Sequence, residues 1–301
     1  MGRILKWAGL ALAAVFSFIV IALIVISVRV EFIRNSSIKV AIQSIPIPTD
    51  EASINEGKRL VQVKGCMDCH DTDLGGRTFI DEPPIGRYSG SNLTPGQGSV
   101  TAHYTDEDWI RAIRYGLSPN GRPLVFMPSD EFQHLSNEDL GRMIAYLKSL
   151  APVDRENAPI SIGPLARVLF TFNQMPLLFP YRNVNMGAQP VDSVPVGATI
   201  EYGRYLAAAC TGCHGPEYSG GPIPGVPPSW PQAANITPSG RVANWSLAEF
   251  KKVLTEGITP DGHQINPLHM PWKATQAMTD IEIEALFLFL KQLPPKTPGT
   301  R

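Results

Sequence analysis

The sequence predicts an all-α chain, in which an N-terminal transmembrane helix is followed by two tandem helical domains of about a hundred residues each. Three observations carry that expectation. An uncharged apolar run extends from Trp7 to Val28. The pentapeptide Cys-x-x-Cys-His occurs twice and uses all 4 cysteines of the 301-residue chain. A series of turn and helix-start signals then follows each copy in the same order. The expected boundaries are an anchor over 1–36, a first domain over 37–150, a proline-punctuated linker over 151–196 and a second domain over 197–301.

The anchor comes first. At 1.5 Å per residue, Trp7 to Val28 gives about 33 Å of helix, enough to cross a hydrocarbon core. Arg3 and Lys6 precede it and Arg29 follows. A cleaved signal peptide would have a shorter apolar region followed by a small-x-small cleavage site. The run ends instead in Val28-Arg29-Val30-Glu31-Phe32, which offers none, so the helix is expected to be retained and to lie in a lipid bilayer. Lys and Arg on the two flanks nearly balance, so flanking charge does not set the orientation.

The pentapeptides are Cys66-Met67-Asp68-Cys69-His70 and Cys210-Thr211-Gly212-Cys213-His214. Two thiols three residues apart can add across the two vinyl groups of one haem, and the adjacent histidine then falls under the iron. A structural zinc would want both cysteine pairs on one metal, and a thioredoxin-like pair would not need the histidine in both copies. The reading is therefore two covalently bound haem c groups, held through Cys66, Cys69, Cys210 and Cys213, with His70 and His214 as axial ligands. Covalent haem is added on the outer face of the bacterial membrane. Residues beyond the anchor are accordingly expected on the periplasmic side of the inner (cytoplasmic) membrane, in a single-pass topology.

Each haem motif opens a copy of one small helical, cytochrome c-type domain. Ser91-Asn92-Leu93-Thr94-Pro95 answers Ala234-Asn235-Ile236-Thr237-Pro238, the asparagines lying 22 and 21 residues after His70 and His214. Thr105 and Ser246 read as helix N-caps and Gly116 and Gly257 as C-caps. Asn120-Gly121 and Asp261-Gly262 are matching turns. Apolar-periodic helices close the copies over Asn137 to Lys148 and Asp280 to Lys291.

The shared register also selects the sixth ligands. Met127 lies 57 residues after His70 and Met270 lies 56 after His214, each followed by proline and each in an irregular segment before the last helix. Met278 matches Leu135 and reads as packing. Met67 sits within its motif, Met143 on an apolar helix face, and Met175 and Met186 in the linker. His103 and His134 lack counterparts and read as surface residues. His269 could displace Met270 as a ligand, and His263, matching Arg122, falls where a polar side chain could approach a haem propionate. Pro83-Pro84 and Pro227-Pro228 are candidates to offer a carbonyl to each proximal histidine. In the linker, Leu165 to Phe172 and Leu177-Leu178-Phe179 are apolar clusters expected to fill the seam between the haem domains, in preference to an exposed docking patch.

Gly57-Lys58-Arg59-Leu60, the Asn-Leu-Thr-Pro element, Thr105-Asp106-Glu107-Asp108-Trp109-Ile110, Gly121-Arg122-Pro123-Leu124 and Met127-Pro128-Ser129 together resemble the cytochrome c subunits of bacterial membrane-bound dehydrogenases for alcohols, aldehydes or gluconate. The resemblance covers residues 50–155 closely and 196–295 more loosely. Those subunits typically carry three haem motifs and a C-terminal anchor, where this chain has two motifs and an N-terminal anchor. The resemblance implies the haem fold, the His/Met ligands and an electron-transfer role.

A balance of 26 Lys and Arg against 27 Asp and Glu leaves no basic footprint for nucleic acid. His/Met ligation fills every coordination position, so neither iron keeps a site for substrate. The expected function is therefore that of an electron carrier, not an enzyme in its own right. It would pass electrons from a membrane or periplasmic donor, a dehydrogenase or quinol-linked complex, to a soluble or membrane acceptor. A haem subunit of a terminal oxidase would share the anchor and both motifs. A di-haem peroxidase would need an iron that loses its sixth ligand, against Met127 and Met270.

Overall fold

The computed structural model describes residues 2–300. Helix α1 (Gly2–Asn35) is a single rod whose apolar window is entirely unburied. Residues 36–50 then run as an extended strap over the first domain. Ile38 N–H donates to the Gly121 carbonyl at 2.9 Å, and Ile45 is buried in that domain's core.

The first domain contains α2 (Glu51–Val63), α3 (Cys66–His70), β1 (Arg77–Glu82), β2 (Gly86–Gly90), α4 (Asp106–Tyr115), α5 (Ser129–Phe132) and α6 (Asn137–Lys148). The intervening segment adds β3 (Ser161–Ile162) and α7 (Pro164–Thr171). The second domain follows with α8 (Ile200–Ala207), α9 (Thr211–His214), α10 (Leu247–Glu256), α11 (Trp272–Thr275) and α12 (Asp280–Gln292). The caps form where the sequence places them. Thr105 and Ser246 each build a capping box, with Asp108 and Glu249, and Gly116 and Gly257 end α4 and α10 in the left-handed conformation.

Each core is a first helix crossed on a last helix, closed by the middle one. Leu60 and Val61 of α2, Trp109, Ile110 and Ile113 of α4, and Leu140, Met143, Ile144 and Leu147 of α6 form the first core. Ala207, Phe250, Leu254, Ile283, Leu286, Phe289 and Leu290 form the second. The crossing is close enough to require glycine. A β-carbon on Gly57 would overlap the Arg142 carbonyl, and one on Gly203 would overlap the Ala285 carbonyl.

The architecture departs from all-α. The three short strands form an antiparallel sheet in the order β1-β2-β3. Strand β1 is exposed at both ends and lacks a clean alternation, and β3 contributes only Ser161 and Ile162, so neither carries a period-2 signal. Pro83-Pro84 forms the β1–β2 turn, closed by Ile85 N–H to the Glu82 carbonyl at 2.9 Å.

The linker clusters also pack elsewhere than expected. Ala166, Phe170, Met175, Leu178 and Phe179 join Val30 of α1, Tyr88 of β2 and Ile162 in one buried cluster beneath the first domain. They fill mainly the junction of α1 with that domain, and Met175 and Leu177 also approach the second domain, at Gly225. Met175 is thus a core residue.

The seam itself is polar and follows an approximate two-fold relation. Arg59 of α2 makes a bidentate pair with Glu282 of α12, at 2.7 and 2.8 Å, and donates to the Ala277 carbonyl at 3.1 Å. Tyr205 of α8, the positional counterpart of Arg59, reaches the counterpart of Glu282: its hydroxyl donates to Asp139 of α6 at 2.6 Å. Thr279 and Glu282 make a complete capping box within α12. In α6 the Asp139 carboxylate is engaged by Tyr205, and the Ser136 N–H at the start of the helix donates to the Tyr205 hydroxyl at 3.2 Å instead. The second domain thereby completes a helix cap of the first.

Candidate haem sites

Each Cys-x-x-Cys-His segment is a single helical turn held between backbone kinks. Helix α3 starts after Gly65 at φ 70° and stops at Asp71, whose φ of 67° ends the helix; Gly76 N–H then donates to the His70 carbonyl at 2.8 Å. In the second copy Cys210 ends a 3-10 turn, α9 stops at Gly215 with φ 76°, and Gly220 N–H donates to the His214 carbonyl at 2.9 Å. Leu74 and Tyr218, which also match, both sit at φ 58°. The repetition extends to left-handed positions that non-glycine residues rarely occupy.

The imidazoles are oriented by the chain itself. His70 Nδ1 lies 2.8 Å from the Ser91 carbonyl and His214 Nδ1 lies 2.8 Å from the Ala234 carbonyl. A carbonyl only accepts, so Nδ1 carries the hydrogen and Nε2 keeps its lone pair. The accepting carbonyls therefore belong to Ser91 and Ala234, and not to the paired prolines: Pro83-Pro84 is committed to the hairpin turn.

The asparagine that follows each carbonyl fixes its position. Asn92 Oδ1 accepts from Thr94 N–H at 3.0 Å and Thr94 Oγ1 at 2.8 Å, while its amide donates to the Val153 carbonyl at 2.7 Å. Asn235 Oδ1 accepts from Thr237 N–H at 2.9 Å and Thr237 Oγ1 at 2.7 Å, and its amide donates to the Lys296 carbonyl at 2.8 Å. Asn92, Thr94 and Thr237 are fully buried. The repeated Asn-x-Thr thus ties the carbonyl loop to the strand of chain leaving the last helix. Its position in both copies was the signal that could have identified Ser91 and Ala234.

Cys66, Cys69, His70 and Met127 line one cleft that opens to solvent. Its other walls are mainly apolar, among them Phe79, Leu93, Trp109, Ile113, Leu124, Val125, Phe132 and Ile160, with Tyr104 as a polar member. Met127 is delivered by a strained residue. Phe126 has φ 64° and packs its ring on Tyr88 at 4.6 Å and Phe79 at 5.8 Å. An apolar cleft with an imidazole lone pair, a thioether and two thiols on its walls fits a haem.

In the second domain, Met270 packs against the core cluster, as Tyr218 and Ile236 do. Ile265 N–H donates to the Gly257 carbonyl at 2.8 Å, as Leu124 N–H does to Gly116 at 2.7 Å, so the two methionine loops leave their helices in the same way. His269 packs against Trp230 with the rings tilted and their centroids 4.9 Å apart. His103, His134 and His263 are exposed. Met67, Met186 and Met278 pack at the edges of the cores, and Met143 is buried.

Burial pushes the Cys66 and Cys210 thiols up to about 12 and Cys69 up to about 11. A dithiol redox site needs a stabilised thiolate, so these thiols are unlike one. Burial pushes His70 down and favours the neutral, ligating imidazole. Among the described residues, no group of three or more His, Cys, Asp or Glu could hold a metal ion, so the motifs do not converge as a zinc site would require.

The motifs do face a common seam. The Lys64 ammonium lies among Asp139, Cys210, Glu282 and Cys66, and its own charge is disfavoured by burial. A β-carbon on Gly212 would overlap the Glu131 carboxylate of α5.

The family model described as cytochrome c matches residues 54–151 and 200–294. Among curated relatives, the fructose dehydrogenase cytochrome subunit of Gluconobacter japonicus is 25% identical over 83% of this chain and 54% of its own length. A diheme cytochrome c-type protein of Cereibacter sphaeroides is 26% identical over 82% of this chain and 87% of its own length. The cytochrome c subunit of the quinone alcohol dehydrogenase of Gluconobacter oxydans is 33% identical over 39% of this chain and 26% of its own length. The chain therefore spans about half the length of the fructose dehydrogenase subunit and most of the diheme protein.

Proposed function

The chain belongs to the cytochrome c family, and from that premise we propose that it is a membrane-anchored di-haem electron carrier serving a membrane-bound dehydrogenase or quinol-linked complex. Two domains, 37–150 and 197–301, would each hold one haem c: the first through Cys66, Cys69, His70 and Met127, the second through Cys210, Cys213, His214 and Met270. The single observation that carries the reading is the pair of imidazoles, each with Nδ1–H held on a carbonyl at the same place in its repeat.

Bound haem would supply reversible one-electron chemistry at iron, and a thioether ligand favours the higher potentials of His/Met sites. The protein's own residues do the rest. His70 and His214 present Nε2 in a fixed orientation; the Ser91 and Ala234 carbonyls draw on Nδ1–H and raise the basicity of the rings. The apolar walls of the first cleft exclude water. The Arg59–Glu282 and Tyr205–Asp139 contacts hold the two motifs against one seam. Helix α1 would tether both to the bilayer, with the haem domains on the periplasmic side, near a membrane donor and a soluble or membrane acceptor. The relatives named as dehydrogenase subunits support the class of partner.

The test is direct. Two haems per chain should remain after denaturation and acid-acetone extraction, and the oxidised protein should show the weak long-wavelength band of sulfur-to-iron charge transfer. Met127→His and Met270→His should each remove about half of that band and lower one of two midpoint potentials. Extractable haem, or a wild type without the band, overturns the assignment.

A further inference from the structure

Helix α7 runs antiparallel to the end of α1, and its depth can be read from the contacts between them. Arg34 donates to the Ile160 carbonyl at 3.1 Å. Further along, Arg167 donates to the Ser27 carbonyl at 3.2 Å and pairs with Glu31 at 2.6 Å. As the chain advances from 160 to 167, its partners on α1 recede from 34 to 27. Phe172, five residues beyond Arg167, therefore stands about 7.5 Å further toward the membrane-spanning run.

Helix α1 records the same descent. Along its last turns Ala22, Ile26, Ser27 and Val30 have reduced exposure, and they share a single face at helical spacing. Ala22 lies six residues inside the end of the uncharged run, about 9 Å along the axis. The globular body thus reaches down beside the apolar part of the helix.

At that depth it presents Phe172, 67% exposed and followed by the exposed amides Asn173 and Gln174; Leu165, 43% exposed, stands at the shallower end of α7, whose other face is buried through Ala166 and Phe170. Arginines stand just above this level: Arg167 binds Glu31, and the Arg182 guanidinium lies 5.3 Å from the Phe170 ring. An apolar tip below a band of arginines is the pattern of a segment seated at the acyl–headgroup boundary.

We propose that α7 and its terminal Phe172 form a second membrane contact. Phe172 enters the acyl region of the leaflet on the haem side, beside α1, and seats the first domain against the bilayer. The occupant of this surface is lipid, because the surface continues that of α1 at the same depth. The inference rests on α1 spanning the membrane. It adds a fixed orientation, since a single helix alone leaves the attached domain free to swivel. It also makes the first cleft the one nearer the lipid, because Phe79, Val125, Phe126 and Ile160 belong both to its wall and to the cluster that holds Val30.

The experiment uses the full-length holoprotein in phosphatidylcholine/phosphatidylglycerol bilayers. Spin labels are placed one at a time at Phe172→Cys and Leu165→Cys. Val20→Cys serves as a reference in the span and Val196→Cys, 67% exposed in wild type, as a reference in water. Collision with oxygen and with a water-soluble nickel chelate is then measured. The label at 172 is expected to resemble the one at 20, with high oxygen and low nickel access, and the label at 165 to fall between 20 and 196. Nickel access at 172 equal to that at 196 overturns the proposal, and so does shielding of 172 from both reagents, which signifies a protein partner or second copy. If the label at 20 is itself exposed to nickel, the spanning helix fails and the proposal with it; if only 172 is exposed, the helix stands and the second contact alone falls.

Discussion

Asn92 and Asn235 hold the buried hydrogen-bond networks that position the carbonyls accepting from His70 and His214. Asn92→Ala leaves the Val153 carbonyl and the Thr94 donors without their partner, a loss of about 1–3 kcal/mol in stability. With the Ser91 carbonyl less firmly held, its hydrogen bond to Nδ1 weakens and the imidazole becomes a poorer donor to iron. The first midpoint potential should rise while the second stays, and Asn235→Ala should do the reverse; spectroelectrochemistry on each variant checks this. Glu131 gives a second expectation. Burial, with Asp130 adding to it, lifts its carboxyl to about 7 from an ordinary 4.5. Between those values the folded chain holds a proton that the unfolded chain has lost, so stability falls as pH rises through the window and levels off above it. Glu131→Gln should flatten that fall, read as the guanidinium midpoint at pH 5 and pH 8. At this scale motif spacing points to Cys66, Cys69, His70 and their counterparts, and equal intervals point to Met127 and Met270; the structure brings Cys66, Cys69, His70 and Met127 to one cleft. The carbonyl partners left no mark in their own side chains, because any residue supplies a carbonyl; only the repeated Asn-x-Thr that follows them marks the place.

Helix ends were legible because capping is local chemistry. Thr105 with Asp108 and Ser246 with Glu249 declare their helices in four residues. Strands β1 to β3 were hidden for the opposite reason, since β2 pairs with two residues of a distant linker and no local period records that. Gly57 and Gly203 show how two elements share one constraint. Each stands where a β-carbon would strike the carbonyl of a crossing helix, in α6 or α12. Gly57→Ala and Gly203→Ala should each cost about 1–3 kcal/mol through forced separation of the helices, seen as a lower Tm by far-UV circular dichroism. Gly197→Ala, whose β-carbon would meet only ordinary contact with Thr199, should leave Tm unchanged.

Across the whole molecule, the internal repeat foretold two domains but not how they meet. Arg59 and Tyr205 occupy matching positions yet differ in chemistry, so their common role was invisible in sequence. Glu282 is almost fully buried, and Arg59 neutralises it from the other domain. Arg59→Leu should strand that carboxylate at a cost of about 3–5 kcal/mol, whereas Tyr205→Phe, which removes one hydroxyl, should cost about 1–2 kcal/mol. Differential scanning calorimetry should show one transition in wild type and two in Arg59→Leu as the halves melt apart.

The seam has a kinetic consequence as well. Were the domains joined only by the linker, the gap between the two irons would be a distribution, widening as the linker lengthens, and transfer would wait on the rare close approach. Clamped from both sides by Arg59 and Tyr205, two bound haem irons would keep one separation, so the rate of the internal hop should be indifferent to residues inserted beside the exposed Pro195 and Val196. The chain between the domains can then drift in length and composition without altering the speed of the wire.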